Sequence, residues 1–181
     1  HLFVGMPSSG KTTLIQTLVM SLCLRYSPRD LNIYLFSLSS RTLGCLSALP
    51  HVGGIVFEEE TQEQLRLVNM LEEELNRRNK LFSAASTDSF LEYNRACDLN
   101  PGFVRVPAIV VGIDRVAQMR DIFSEEDLAK VFALIREGSG RGIFFAATAL
   151  SMNEVPVRMQ ASFHNIALEM RERADYSEVL G

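Results

Sequence analysis

A lysine and a hydroxyl side chain that close a glycine-bounded loop are the groups best placed to do chemistry in this chain. Gly5-Met6-Pro7-Ser8-Ser9-Gly10-Lys11-Thr12 is a complete G-x-x-x-x-G-K-[ST] stretch, the pattern of a loop that cradles nucleotide phosphates. Its small residues let backbone N–H groups turn inward and meet phosphate oxygens with no side chain in the way. Lys11 is placed to reach the β- and γ-phosphates, and the Thr12 hydroxyl to ligate Mg²⁺. Thr13, in the first turn of the following helix, is placed to donate to the α-phosphate. Gly5, Met6, Pro7, Ser8, Ser9, Gly10, Lys11, Thr12 and Thr13 are therefore candidate ATP-binding residues. Pro7 has no N–H, so it either stiffens the loop in a phosphate-ready shape or removes one contact of the cradle.

Phosphate chemistry needs more than the cradle. A nucleoside triphosphatase of this type holds Mg²⁺ with a carboxylate at the end of a neighbouring strand and uses a second carboxylate to orient the attacking water. The strand Ala108-Ile109-Val110-Val111 runs into Gly112-Ile113, where an Asp-Glu pair is expected. The nearest acid is Asp114. Two residues along a strand is roughly 6–7 Å, whereas a Mg²⁺–oxygen bond is roughly 2.1 Å. Asp114 thus reads as a surface carboxylate beyond the strand end, or as a displaced metal ligand if Gly112 permits a bend. No glutamate lies within two residues to orient water. Thr148, ending a later strand, is either a γ-phosphate sensor or simply a β-forming residue. Arg41, Arg141 and Arg173 are either trans-acting fingers in a ring or ordinary surface arginines. His51 and His164 lie on apolar segments and read as core or loop histidines.

The elements that position these groups alternate. Leu2-Phe3-Val4 is a short strand into the loop, and a helix from Thr12 to about Tyr26 leaves it, apolar nearly all round and so expected to be buried on most sides. Strands are expected at Asn32–Phe36, His51–Phe57, Ala108–Val111, Gly142–Thr148 and Phe163–Met170. Between them come a short helical stretch, Leu43–Leu49, and a long helix to about Phe82 that opens on the capping box Thr61-Gln62-Glu63-Gln64. Leu65, Val68, Leu71, Leu75 and Phe82 form the buried stripe of that helix. Glu72, Glu73, Glu74, Arg77, Arg78 and Lys80 read as its solvated face. A weaker helix spans about Ser89–Cys97, and Ser124 caps another that stops at Gly138. The alternation predicts an α/β fold, a mostly parallel sheet with helices on both faces. Ligands of such sheets sit beyond the carboxyl ends of the strands. That gathers the phosphate loop, Ser37–Arg41, Gly112–Arg115 and Thr148–Ser151 on one rim, with the 108–111 strand expected beside the phosphate-loop strand.

The chain has 181 residues, with 18 Lys and Arg against 22 Asp and Glu. The acidic balance and the lack of a basic stripe argue against a nucleic-acid surface. The three cysteines, Cys23, Cys45 and Cys97, lack metal-ligand spacing and read as buried free thiols in a reducing compartment. No run of 18 apolar residues exists to span a membrane. Residues 1–181 read as a single domain cut from a longer chain, since the sequence opens in mid-strand.

The sequence resembles the FtsK/SpoIIIE group of RecA-like P-loop ATPases, and within it the tandem ATPase domains of the type VII (ESX/WXG100) secretion coupling proteins, the EccC/EssC family. The likeness is carried by His1-Leu2-Phe3-Val4-Gly5 with the phosphate loop, Leu14-Ile15-Gln16-Thr17-Leu18 and Leu24-Arg25-Tyr26-Ser27-Pro28. It continues through Leu49-Pro50-His51-Val52-Gly53, Glu74-Leu75-Asn76-Arg77-Arg78, Ile166-Ala167-Leu168 and Arg173-Ala174-Asp175-Tyr176-Ser177-Glu178-Val179-Leu180-Gly181. Active motors of the family carry Asp-Glu where this chain is read as Gly112-Ile113, and Thr-Gln where it has Thr148-Ala149. Motor domains of the family often carry Asp-Phe-Lys-Gly-Gly where it has Ser37-Leu38-Ser39-Ser40-Arg41.

The resemblance therefore implies a degenerate later domain, the second or third of the series. It would bind ATP, with Mg²⁺ in doubt, and hydrolyse it poorly while regulating the motor or recognising secreted substrates. The alternatives are an active ATPase that powers export and a DNA translocase domain. Implied partners are neighbouring ATPase domains of the same chain, WXG100-type secreted substrates and a hexameric ring. The implied location is the cytoplasmic side of a membrane-anchored protein.

Overall fold

The computed structural model describes residues 1–168 together with Ser177 and Val179. Six strands are described: β1 (Leu2–Gly5), β2 (Leu31–Ser37), β3 (Val52–Phe57), β4 (Ala108–Asp114), β5 (Ile143–Ala149) and β6 (Asn165–Leu168). They form one parallel sheet in the order β3-β2-β4-β5-β1-β6. The described helices are α1 (Lys11–Arg25), α2 (Thr61–Ala84), α3 (Phe90–Leu99), α4 (Met119–Ile122), α5 (Glu125–Gly138) and α6 (Val157–Gln160), with a 3₁₀ stretch at Thr42–Ala48. The expected Phe163–Met170 strand is represented by β6, and residues beyond Leu168 in that expectation lie outside the described set.

Strand alternation sorts the core into two faces. Ile109, Val111 and Ile113 of β4 join Leu2, Val4 and Ala147 in a cluster with Val68 and Leu71 of α2 and Val131 and Leu134 of α5. Val110, with Ile33 and Leu35 of β2, packs on the other face against Ile15 and Val19 of α1 and against Leu43 and Leu46. This parity matters for the site. Ser37, Gly112, Asp114 and Thr148 all fall on the α1 side, and α1 is the helix that the phosphate loop feeds. The missing side chain at Gly112 makes room for Leu35 of β2: a Cβ there would stand 2.6 Å from Leu35 Cδ2, and only in ordinary contact, 3.5 Å, with Ile15 Cγ2 of α1.

Several expectations are corrected. β4 does not neighbour β1: β5 lies between them. The short return through α4 and α5 brings β5 directly alongside β4, and hydrophobic pattern alone does not encode lateral order. Only Ile15 and Val19 of α1 are buried, while Leu24 is 85% exposed; the helix covers one sheet face, and no described element covers its outer side. Thr61 is the first residue of α2 and not its cap. Gln64 donates instead to the carbonyls of Phe57 at 2.6 Å and Glu58 at 3.1 Å. Cys97 is buried, but Cys45 is exposed. His51 is buried, as expected of a core histidine, with Nε2 2.8 Å from the Tyr26 carbonyl, while His164 is exposed.

Arg78 is the largest departure. It was expected on a solvated face, yet its side chain is fully buried. Its guanidinium donates to the carbonyls of Arg141 (2.7 Å), Gly142 (3.2 Å) and Pro107 (2.7 Å), and to Glu74 Oε1 (2.7 Å). Arg78 therefore clamps α2 to the leading ends of β4 and β5, whose trailing ends carry Asp114 and Thr148.

Candidate nucleotide site

The phosphate loop joins β1 to α1 at the carboxyl rim of the sheet. Ser8 (φ 65°) and Gly10 (φ 81°) are left-handed, and the N–H of Ser9 donates back to the Met6 carbonyl at 3.2 Å. Left-handed residues in such a turn aim backbone N–H groups into one concavity, and α1 begins directly at Lys11 with its own unpaired N–H groups. Gly5 is required by close approach: a Cβ would overlap the Leu168 carbonyl oxygen of β6 and sit 2.6 Å from Ser9 Oγ. Pro7 and Gly10 are exposed, Met6 and Ser9 half-buried.

Lys11 Nζ reaches back across this loop, donating to the carbonyls of Gly5 (2.7 Å) and Met6 (2.6 Å) and to Ser9 Oγ (3.3 Å). Burial holds its ammonium below the ordinary lysine range; the charges of Asp114 and Glu154 pull it up, and Arg115 pushes it further down. Thr13 is exposed on the first turn of α1, its carbonyl accepting from Thr17 Oγ1 at 2.9 Å.

Asp114 is not a surface carboxylate. β4 continues through Gly112-Ile113 and ends at Asp114, which is 2% exposed. The strand-end pair is thus Asp114-Arg115, and Gly112-Ile113 is strand interior, lined up with Leu35 and Phe36 of β2. Asp114 Oδ2 accepts from Thr12 Oγ1 at 3.1 Å and from Ser39 Oγ, and Oδ1 accepts from Thr148 Oγ1 at 2.8 Å. Thr148 Oγ1 in turn accepts the Arg115 N–H at 2.7 Å. A hydroxyl and a carboxylate facing each other, with oxygen donors only, suit Mg²⁺. Thr12 and Asp114 are the residues that would hold it, and a bound ion would supply neutralisation of phosphate charge.

Two residues of the site carry no motif in the sequence. Ser39 lies in the rim loop Ser37–Arg41, and the register of Ser37 with Asp114 brings that loop beside the carboxylate. Glu154 accepts the Leu150 N–H at 3.2 Å and lines a cavity of about 260 Å³ with Arg115, Arg120 and Asp121. Nothing in local sequence marks it, since it follows β5 by five residues. Of the arginines considered as fingers, Arg41 pairs with Glu59 and stacks over Phe57, 4.5 Å from the ring centre. Arg141 precedes β5, on the opposite edge of the sheet, and its Nη1 donates to the Asp88 carbonyl at 2.5 Å. Arg173 lies outside the described residues. No group of three or more His, Cys, Asp or Glu side chains that would hold a metal exists among the described residues.

The FtsK/SpoIIIE family matches residues 1–164. The chain belongs to that family. Among curated relatives, the ESX secretion system protein YukB of Bacillus subtilis is 27% identical over 151 residues, covering 83% of this chain and 10% of the relative. This chain therefore spans about a tenth of that relative's length. Among solved structures, the cytoplasmic domain of EssC superposes with a TM-score of 0.89 at 21% identity, over 99% of this chain and 34% of that one. Thermomonospora curvata EccC (ATPases 2 and 3) in complex with a signal sequence peptide gives 0.82 at 24% identity, over 93% of this chain and 30% of that one. These likenesses establish a parallel-sheet P-loop ATPase fold. No helix among the described residues is long and apolar enough to cross a membrane.

Proposed function

We propose that this chain is an ATP-binding domain of a type VII secretion motor that turns nucleotide over poorly and serves to regulate the motor or to recognise its substrates. The observation that carries the reading is the pair closing β4: Asp114 faces Thr12, and the residue after it is Arg115. Loop amides, Lys11, Thr12 and Asp114 suffice to hold a triphosphate and its ion. Hydrolysis also needs a group that orients water, and a guanidinium has no lone pair to accept a proton from water. ATP turnover by the purified chain, with and without Arg115→Glu, tests this. Negligible turnover that rises in the variant supports the reading.

Glu154 favours a second reading. Among the described residues, Glu154 is the acid outside β4 whose charge is felt at Lys11, which makes it the candidate to orient water in an active ATPase. Wild-type turnover abolished by both Asp114→Asn and Glu154→Gln would establish that reading in place of the first.

The remaining roles follow from the relatives. Neighbouring ATPase domains in one chain, assembly into a ring and attachment at the cytoplasmic face of a membrane are proposed by likeness to EssC and EccC. For substrate recognition, a groove of about 680 Å³ lies at the opposite edge of the sheet, lined by Leu22, Tyr26, Phe90, Leu91, Val106 and Phe144 among others. Arg29, Asp30, Arg95, Asp98 and Arg105 line it too, so it suits a peptide that carries both apolar and charged residues; Thermomonospora curvata EccC was solved with a signal sequence peptide. The acidic balance of the chain speaks against a DNA translocase.

A further inference from the structure

Resting on the reading of the loop as an ATP site, we propose that Arg115 is a γ-phosphate ligand, which makes the site discriminate ATP from ADP and lessens its need for Mg²⁺. Its position is fixed by a chain of contacts. The Arg115 N–H is 2.7 Å from Thr148 Oγ1, Thr148 is 2.8 Å from Asp114, and Asp114 is 3.1 Å from the Thr12 hydroxyl beside Lys11. The backbone at Arg115 is left-handed (φ 69°, ψ 67°), a conformation that costs energy for a side-chain-bearing residue. It turns the chain sharply off the strand, and Arg115 lines a cavity at this rim together with Arg120, Asp121 and Glu154. Its charge is felt at Lys11, the residue that serves the β–γ end of a triphosphate in this type of loop.

The guanidinium is also uncommitted. Arg41, Arg66, Arg77, Arg78, Arg105 and Arg136 pair with carboxylates, whereas Arg115, like Arg120 beside it in the same cavity, makes no ion pair among the described residues. Charge completes the case. An acid pair at the end of β4 would set two negative charges against Lys11. Asp114 and Glu154 stand against Lys11 and Arg115, two negative charges and two positive, so Arg115 offsets the charge that an acid in its place would add and offers the γ-phosphate a cation of its own. A guanidinium fork suits two phosphate oxygens at once. ADP has no group to occupy it.

The test is calorimetric titration of the purified chain with ATP and with ADP, each in Mg²⁺ and in EDTA, for wild type, Arg115→Gln, Arg115→Lys and Arg115→Glu. Gln makes the same backbone demand but removes both the charge and the outer reach of the side chain, whereas Lys keeps the charge and most of the reach and loses the fork. Wild type is expected to prefer ATP by about tenfold or more, the scale of a charge-assisted hydrogen bond, and to change by less than about threefold on removal of Mg²⁺. Arg115→Gln is expected to lose the preference with ADP binding unchanged. Arg115→Lys should recover part of it, and Arg115→Glu should make ATP binding depend on Mg²⁺. Wild-type binding with no ATP preference, or a preference retained in Arg115→Gln, overturns the role of Arg115 while leaving the ATP site standing. Equal losses for ATP and ADP in Arg115→Gln overturn it too. Binding of neither ATP nor ADP to wild type overturns the ATP site itself and the inference with it.

Discussion

Replacing Arg78 by methionine removes a fully buried guanidinium that serves three backbone carbonyls and Glu74. Methionine fills much of the same volume, so the cavity contribution is small and the loss is chiefly polar. Each buried carbonyl left without a donor costs about 1–3 kcal/mol, and removal of one partner from a buried ion pair costs about 3–5 kcal/mol. These figures overlap and do not add. Glu74 is 18% exposed and keeps Arg77 at 2.6 Å, so it is not stranded as a lone buried charge. The expected net loss is about 3–5 kcal/mol, set against a typical total of about 5–15 kcal/mol. At about 2–4 °C per kcal/mol for a domain of this size, the melting temperature should fall by roughly 6–20 °C. Calorimetric melting and urea unfolding of wild type, Arg78→Met and Arg78→Lys measure this. Lysine should lose about half as much, because one ammonium serves one end of the clamp but not both. A loss below about 1 kcal/mol in Arg78→Met would refute the reasoning, showing that water replaces the guanidinium without strain.

Gly5→Ala should cost about 1–3 kcal/mol by overpacking and abolish nucleotide binding, because the new Cβ meets backbone of β6 and not a movable side-chain tip; melting and ATP titration read both effects. Burial raises Glu74, but the hydrogen bonds from Arg77 and Arg78 outweigh it and hold the carboxyl below its usual range. The stability it contributes is therefore complete above the unfolded glutamate value, about 4.3, and is lost as pH falls through the lower folded value. Acid titration of stability should be shallower in Glu74→Gln. Lys11 is held below the ordinary lysine range, and a bound triphosphate raises it. ATP binding on the alkaline side should thus take up a proton, seen as a binding heat that varies with the ionisation enthalpy of the buffer at alkaline pH and not at neutral pH; a constant heat across buffers at alkaline pH is the contrary result.

The parallel sheet and the loop–helix unit were legible because each is written locally. β-branched runs bounded by turn residues mark the strands, and the loop pattern stands between a strand and a helix. The geometry of the site was less legible, for three physical reasons. Sequence alone sets Asp114 too far along, because the unbroken apolar run of β4 ends at Val111; the strand runs on, and alternation carries Gly112 and Asp114 toward α1 while Ile113 packs on the other face. Arg78 looks like any charged residue on a long helix, and only the fold places three bare carbonyls in front of it. The lateral order that inserts β5 between β4 and β1, and so lets Thr148 bridge Asp114 and Arg115, comes from long-range pairing that no window of sequence contains.

The most direct test of the account is a paired measurement on one preparation of the purified chain, with Lys11→Ala as control: ATP binding by calorimetry and single-turnover hydrolysis of the bound nucleotide. The account predicts saturable binding that Lys11→Ala removes, with hydrolysis slower than about 0.01 s⁻¹, far below the 1–10³ s⁻¹ of working enzymes. Hydrolysis at about 1 s⁻¹ or faster, lost in Asp114→Asn, would contradict it and identify the chain as a working ATPase.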